Sequence, residues 1–184
     1  MKYFIVTSNK KKFFEFHKLL GNQIILAEFD LSELQTTNLR ELVGDKLKQA
    51  YKKVNAPVFV EDSSLYFEAW NELPGPLIKW FIENIGLKGL VRALSPFENN
   101  LAYAKSCLGF TTDGKKNHFF EDNIKGKIVN PKGSKGFGWD TIFRPFGQKL
   151  TFGEMSLNQK LNISPRGKVT KNFKRFLELK AKQM

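Results

Sequence analysis

Two adjacent carboxylates, Glu61 and Asp62, are the residues best suited to chemistry in this sequence. They follow a short apolar run, Val58 to Val60, and apolar alternation resumes after them. A buried strand that stops at an acidic pair places charge at the rim of a sheet, where α/β proteins bind their ligands. We therefore expect a ligand or a metal ion at this point of the chain.

A lysine cluster lies where a strand is expected to turn into a helix. Lys10 to Lys12 crowd the first turn of that helix, directly after Thr7, Ser8 and Asn9. Cations at a helix N-terminus oppose the helix dipole by about 0.3 to 1 kcal/mol each. The run therefore indicates either an anion bound between the free N–H groups and the ammonium groups, or a solvated face in a lysine-rich protein.

The third candidate is the loop from Asn130 to Trp139, NPKGSKGFGW, which is followed by Asp140. Its glycines allow the backbone to approach a ligand closely, and Phe137 and Trp139 offer flat faces on which a base could stack. Asp140 is a suitable acceptor for an N–H group at the edge of that base. The alternative is an ordinary loop whose aromatic side chains pack into the core. The loop does not match a P-loop, because Trp139 stands where that motif has lysine.

These residues need a sheet and helices to bring them together. Apolar periodicity and turn residues predict strands and helices in alternation, which indicates an α/β fold. The predicted strands are 2–7, 23–29, a run at 58–60 that stops at the acidic pair, and an antiparallel pair at 101–111 and 117–129. Helices are predicted before Gly21, over 39–55, before Gly86 and over 87–94. A last helix is predicted to begin with Ser164 as N-cap and Pro165 in the first helical position.

Length and composition limit the class of protein. The 184 residues suit a single domain, 1–184. Thirty basic against 18 acidic residues give a net charge of +12, which favours phosphates, nucleic acid or acidic surfaces as partners without choosing among them. Cys107 is expected in the core, and the two distant histidines do not indicate a zinc site. No apolar stretch reaches the roughly 20 residues of a membrane span, so we expect a soluble cytoplasmic protein.

The lysine cluster, the acidic residues and the glycine-rich loop fit a nucleotide. Lysines and helix N-termini can neutralise a triphosphate, and Mg²⁺ takes oxygen ligands from carboxylates, substrate phosphate and water. A carboxylate near such a metal can also accept a proton from the attacking water. Composition and spacing alone thus lead to a Mg²⁺-dependent enzyme acting on phosphate esters.

Four segments resemble, in order and spacing, the inosine triphosphate pyrophosphatase family. They are TSNKKKFFE, VEDSSLYFEAWNELPGPLIKWF, FGWDTIFRPFG with TFGEM, and KLNISPR. The resemblance covers nearly the whole chain and implies Mg²⁺-dependent hydrolysis of ITP, dITP or XTP to the monophosphate and pyrophosphate, with Mn²⁺ as an alternative ion. It also implies an elongated, two-lobed α/β fold with a central mixed, twisted β-sheet flanked by helices, and a homodimer.

The resemblance also implies roles for individual residues. Asp62 and Lys12 are expected to act in catalysis. Glu33, Glu61 and Asp62 are the implied metal ligands. The implied substrate-binding residues are Thr7, Ser8, Asn9, Lys10, Lys11, Lys12, Lys46, Ser63, Lys79, Phe137, Gly138, Trp139, Asp140, Lys160 and Arg166.

This sequence departs from the family pattern at three positions. Ser8 replaces a glycine where backbone and phosphate meet, Leu161 replaces an asparagine, and Pro165 replaces a histidine that helps the family recognise the base. A proline side chain can neither donate nor accept a hydrogen bond. Two alternatives therefore stay open: the same chemistry with a different base preference, and a nucleotide-binding or nucleic-acid-binding protein without catalysis. Nucleic acid is compatible with the charge but is not the partner we expect.

Overall fold

The computed structural model describes residues 2–182, which form seven strands and five α-helices. The strands are β1 (Tyr3–Val6), β2 (Ile24–Ala27), β3 (Val58–Phe67), β4 (Pro74–Gly75), β5 (Leu101–Thr111), β6 (Asn117–Ile128) and β7 (Phe143–Pro145). The helices are α1 (Lys10–Leu20), α2 (Leu39–Val54), α3 (Ile78–Leu94), α4 (Leu157–Ile163) and α5 (Pro165–Lys182). None of these helices is long and apolar enough to span a membrane.

The strands form one mixed sheet in the order β2-β1-β3-β5-β6-β7, with β4 paired to β3. β1 runs parallel to β2 and β3, and the other pairs are antiparallel. The α/β class, the mixed sheet and the antiparallel pair β5 and β6 are therefore confirmed. The single-domain, two-lobed organisation stays a prediction.

Helices cover both faces of the sheet near β3. α1 and α5 pack on one face, where Phe16 and Phe173 contact Phe59. α2 packs on the other face, where its apolar stripe meets Val58 and Val60. Cys107 is buried in this second layer, which confirms its predicted place in the core. Since successive strand residues point to opposite faces, Phe59 and Glu61 of β3 face α1 and α5, whereas Val60 and Asp62 face α2.

The prediction that the third strand stops at the acidic pair is wrong. β3 continues for ten residues to Phe67, and Glu61 and Asp62 lie in its middle. The strand continues because β5 pairs with it along its whole length, with Glu61 opposite Leu108 and Asp62 opposite Cys107. Pairing with β5 thus extends β3 through the acidic residues, and the local sequence of β3 does not reveal this neighbour.

The other edge of β3 is interrupted beside the acidic pair. β1 pairs with β3 only as far as Phe59, and β4 takes up the pairing again at Leu65. Within residues 2–182, the register leaves the stretch between these two points without a strand neighbour on this edge. We call this stretch, residues 60–64, the open edge. The acidic residues therefore do lie beside the carboxyl end of a parallel strand, β1.

The helix ends follow the local sequence closely. Gly21 ends α1 and Pro165 begins α5, both as predicted. α3 is interrupted at Gly86, whose φ of 66° is not helical, so the predicted division of this segment is also confirmed. The short strand β7 and the helix α4 were not predicted. α4 begins with a capping box between Ser156 and Gln159, a local signal that the sequence does contain.

Candidate active site

A cleft of about 700 Å³ opens beside the open edge. Its walls come from the β1–α1 turn, the segment before α2, the middle of β3, the start of α3, the glycine-rich loop and the α4–α5 junction. All the predicted site residues line this cleft except Lys10 and Lys11. Those two are exposed, and the Lys11 ammonium donates to the main-chain oxygen of Gly136 at 3.1 Å.

The β1–α1 turn directs one lysine into the cleft. The Asn9 side chain caps α1 by accepting from the main-chain N–H of Lys12 at 3.0 Å, and Thr7 Oγ1 accepts from the N–H of Asn9 at 3.1 Å. Lys12 Nζ then donates to the main-chain oxygen of Glu61, on the open edge, at 2.8 Å. The arrangement combines a helix N-terminus with an ammonium group, which suits an anion.

Two carboxylates and two ammonium groups meet at the α2 side of the cleft. We call these four residues, Glu33, Lys46, Asp62 and Lys79, the acid–lysine cluster. Lys46 Nζ lies 2.9 Å from Glu33 Oε1 and donates a short hydrogen bond to Asp62 Oδ2. Lys79 Nζ lies 3.4 Å from Glu33 Oε2. Burial would lower the pKa of Lys46, but Asp62 and Glu33 raise it above its ordinary value, so Lys46 carries a full positive charge.

The acid–lysine cluster fits a divalent cation. Glu33 and Asp62 come from different elements, yet their carboxylates converge on one cation, the Lys46 ammonium. Two carboxylates that approach a common cation are the protein donors that Mg²⁺ ordinarily uses. Within residues 2–182, no group of three or more His, Cys, Asp or Glu side chains is arranged to hold a metal ion.

Glu61 lies on the opposite face of the sheet from Asp62. Its buried carboxylate accepts from Arg166 Nε at 3.1 Å and from Ser106 Oγ at 2.6 Å, and it pairs with Lys12 at 3.3 Å. The Ser63 hydroxyl donates to the same carboxylate. The structure therefore brings Glu33 and Asp62 together but does not bring Glu61 to them.

Glu61 is buried as a carboxylate. Burial would raise its pKa, but the positive charges of Arg166 and Lys12 lower it to about 2. Because the pKa in the folded protein is below the ordinary value of 4.5, ionised Glu61 stabilises the fold above about pH 4.5. This contribution is lost as the pH falls through the window from about 4.5 to about 2.

We expect acid to destabilise the protein through Glu61. Between about pH 5 and pH 2, this group should cost about 3 kcal/mol of the free energy of unfolding. Urea denaturation at a series of pH values would measure the slope. In Glu61→Gln the slope should be visibly shallower, and an equal slope in variant and wild type would assign the acid sensitivity to other carboxylates.

The glycine-rich loop forms the opposite wall of the cleft. The carboxylate of Asp140 accepts from the N–H of Phe137 at 2.8 Å, which closes a tight turn. Gly136 makes this turn possible, because its φ is 75° and a Cβ atom there would lie 2.1 Å from Asp140 Oδ2. The ring centres of Trp139 and Phe143 lie 5.7 Å apart, so Trp139 packs against the core. Trp139 also lines the cleft.

Two buried cations lie beneath the Phe137 ring. Lys160 Nζ is 4.8 Å and Arg166 Cζ is 5.0 Å from the ring centre. Lys160 also donates to Asp140 at 2.6 Å. Burial raises the pKa of Asp140, although the charge of Lys160 opposes that rise. An aromatic face, two cations and a carboxylate together suit a flat, polar ring system such as a nucleobase.

Glu15 is a site residue to which the sequence analysis gave no role. It is buried in α1 beneath the cleft, where its two oxygens accept from Lys160 at 2.8 Å and from Arg166 at 2.6 Å. It does not line the cleft itself. Lys12 and Glu15 are three positions apart and so share a helix face, which is the signal that could have identified it. Glu15 therefore positions Lys160 and Arg166 from the side away from the cleft.

This chain is similar to known proteins over most of its length. The family model described as the Ham1 family matches residues 3–176. A protein named inosine triphosphate pyrophosphatase from Schizosaccharomyces pombe is 39% identical over 176 residues, covering 94% of this chain and 93% of the relative. Its namesake from Saccharomyces cerevisiae is 41% identical over 184 residues, with the same coverage of both chains.

Solved structures agree in fold. A HAM1 protein from Coxiella burnetii superposes with a TM-score of 0.85 at 22% identity and covers 97% of this chain and 99% of its own. The Ham1 protein of Staphylococcus aureus gives a TM-score of 0.82 at 22% identity, covering 97% of this chain and 100% of its own. At these identities the structures establish the shared fold.

Proposed function

This chain belongs to the Ham1 family, and we propose that it is a nucleoside triphosphate pyrophosphatase acting on non-canonical purine nucleotides. The substrates would be ITP, dITP and XTP, and the products the monophosphate and pyrophosphate. The observation that carries the proposal is one cleft that joins the acid–lysine cluster to the Phe137 ring and the two cations beneath it. One end of that cleft suits a polyphosphate and the other suits a base.

In this proposal, the lysines bind the phosphates and Asp62 activates the attacking water. Lys12 and the N-terminus of α1 receive phosphate oxygens, and Lys46 and Lys79 receive the leaving pyrophosphate. Asp62 accepts a proton from water as the water oxygen bonds to the α-phosphorus and the bond to the bridging oxygen breaks. The hydrogen bond from the N–H of Ser63 to Asp62 Oδ1, at 2.9 Å, fixes the orientation of this carboxylate.

Glu33 and Asp62 are the residues we propose to hold Mg²⁺, with Mn²⁺ as a substitute. A divalent ion bound there would neutralise the polyphosphate and polarise the phosphoryl group under attack. Glu61 has a different role in this proposal. Because its oxygens are engaged by Arg166, Lys12 and two hydroxyl groups, it holds the cations in place.

Base selection is proposed to rest on Asp140, Lys160 and Arg166. Pro165 lines the cleft beside them but offers no side-chain hydrogen bond. It also occupies the first position of α5, where a proline loses no helical hydrogen bond. The preference for a 6-keto purine must then come from its neighbours, which leaves a changed base preference as the second candidate function.

A panel of triphosphates tests the proposal directly. We expect the purified protein with Mg²⁺ to release pyrophosphate from ITP and XTP at least about tenfold faster than from ATP or GTP, measured as kcat/KM. Similar rates for all purines, or faster release from ATP or GTP, would support the same chemistry with a changed base preference. Binding of ITP without release of pyrophosphate would overturn the proposed activity in favour of a binding protein.

The resemblance also supports proposals that lie outside the cleft. We propose a homodimer, a single domain of two lobes and a cytoplasmic location. Sedimentation of the purified protein would test the first of these.

A further inference from the structure

The metal-binding carboxylates of the proposed enzyme are already engaged by lysines. Glu33 Oε1 and Asp62 Oδ2 share the Lys46 ammonium, and Glu33 Oε2 faces Lys79. The remaining oxygen, Asp62 Oδ1, accepts the main-chain N–H of Ser63. Each oxygen that could bind a divalent cation therefore has a donor in this structure.

The charges of the acid–lysine cluster balance without any ligand. Two carboxylates face two ammonium groups. A divalent cation alone would add positive charge beside two lysines, and a polyphosphate alone would add several negative charges beside two carboxylates. When the two arrive together the cation neutralises part of the polyphosphate charge, and each ammonium group can move to a phosphate oxygen.

Lys46 is much better placed than Lys79 to compete for the carboxylates. Only 11% of the Lys46 side chain is exposed, against 53% for Lys79. It contacts both carboxylates, whereas Lys79 contacts one at a longer distance. Water screens the ion pairs of a buried ammonium group less than those of an exposed one, so Lys46 binds the carboxylates more strongly than Lys79 does.

We propose that Lys46 holds Glu33 and Asp62 closed to divalent cations until a polyphosphate draws its ammonium group away, so that cation and nucleotide bind synergistically. This proposal rests on the proposed function, because it takes the cleft to be a triphosphate site. Lys46 thus exchanges carboxylate partners for phosphate partners on binding. By linkage, the nucleotide must tighten cation binding by the same factor by which the cation tightens nucleotide binding.

Titration with Mn²⁺ tests the proposal without any turnover. Binding of Mn²⁺ to the purified protein would be followed by electron paramagnetic resonance, alone and with an ITP analogue whose α- and β-phosphorus atoms are joined by a methylene group. In wild type we expect the analogue to tighten Mn²⁺ binding at least about tenfold. In Lys46→Met, Mn²⁺ alone should bind about tenfold more tightly than to wild type, and the analogue should add little.

Two further lysine variants complete the experiment. Lys48→Met removes an exposed lysine from the same helix and should leave both titrations unchanged. Lys79→Met keeps the more deeply buried lysine and should show a smaller effect than Lys46→Met. If Lys46→Met folds poorly by circular dichroism, Lys46→Gln takes its place.

The outcomes separate the two proposals. Equal Mn²⁺ affinity in wild type and Lys46→Met, or no effect of the analogue on wild type, would overturn the role of Lys46. Failure of wild type to release pyrophosphate from ITP, measured separately, would overturn the proposed function whatever the Mn²⁺ titrations give.

Discussion

Replacing Asp62 by asparagine should lower kcat for pyrophosphate release from ITP by about 1,000-fold. Asparagine keeps the size of the side chain but cannot accept the proton of the attacking water, and it is a poorer ligand for a divalent ion. The loss should persist at saturating Mg²⁺ and nucleotide, because it lies in the chemical step. Coupled detection of pyrophosphate under those conditions measures it.

Asp122→Asn is the matched control for this change. Asp122 lies on β6, pairs with Lys168 at 3.0 Å and does not line the cleft. We expect this variant to retain wild-type turnover, while both variants keep the circular dichroism of the parent. Turnover by Asp62→Asn within a few-fold of wild type would remove Asp62 from the role of base.

Replacing Gly167 by alanine should strongly destabilise the protein. A Cβ atom at this position would lie 1.9 Å from the main-chain oxygen of Leu161 and 2.7 Å from its carbonyl carbon. Backbone atoms cannot rotate away as a side chain can, so α4 and α5 would have to separate. We expect a loss of about 3 kcal/mol in the free energy of unfolding, measured by urea denaturation.

The same change should also raise KM for ITP. Lys160 and Arg166 flank the contact between Gly167 and Leu161, so separating α4 from α5 displaces the two cations beneath Phe137.

Gly44→Ala on α2 is the control, because the nearest atom to its Cβ would be Phe119 Cζ at 3.6 Å. That variant should be neutral or gain up to about 1 kcal/mol. Equal stability of Gly167→Ala and Gly44→Ala would contradict the steric clash predicted between residue 167 and Leu161.

The elements that the sequence predicts well are those with local signals. Gly21 and Pro165 end or begin helices for reasons contained in a few neighbouring residues. The extent of β3 is different, because it depends on pairing with β5, some forty positions away in the chain. The pattern V-F-V-E-D therefore indicates a strand but not where that strand ends.

In the candidate site, too, features set by local sequence could be predicted and long-range contacts could not. The alternation of side chains along a strand already implies that Glu61 and Asp62 point to opposite faces, so their different partners could have been predicted once β3 was known to continue. Glu15 could not have been assigned its partners from local pattern. Its contact with Arg166 joins residues 151 positions apart, and only packing of α5 against α1 creates it.

That long separation has a consequence for synthesis of the protein on the ribosome. The carboxylates of Glu15 and Glu61 acquire the guanidinium of Arg166 only after α5 has been synthesised. Until then, Glu15 lacks its cations and Glu61 has only Lys12, so burying both carboxylates early is unfavourable. The interior around Glu15 and Glu61 is therefore expected to form after α5 has been synthesised.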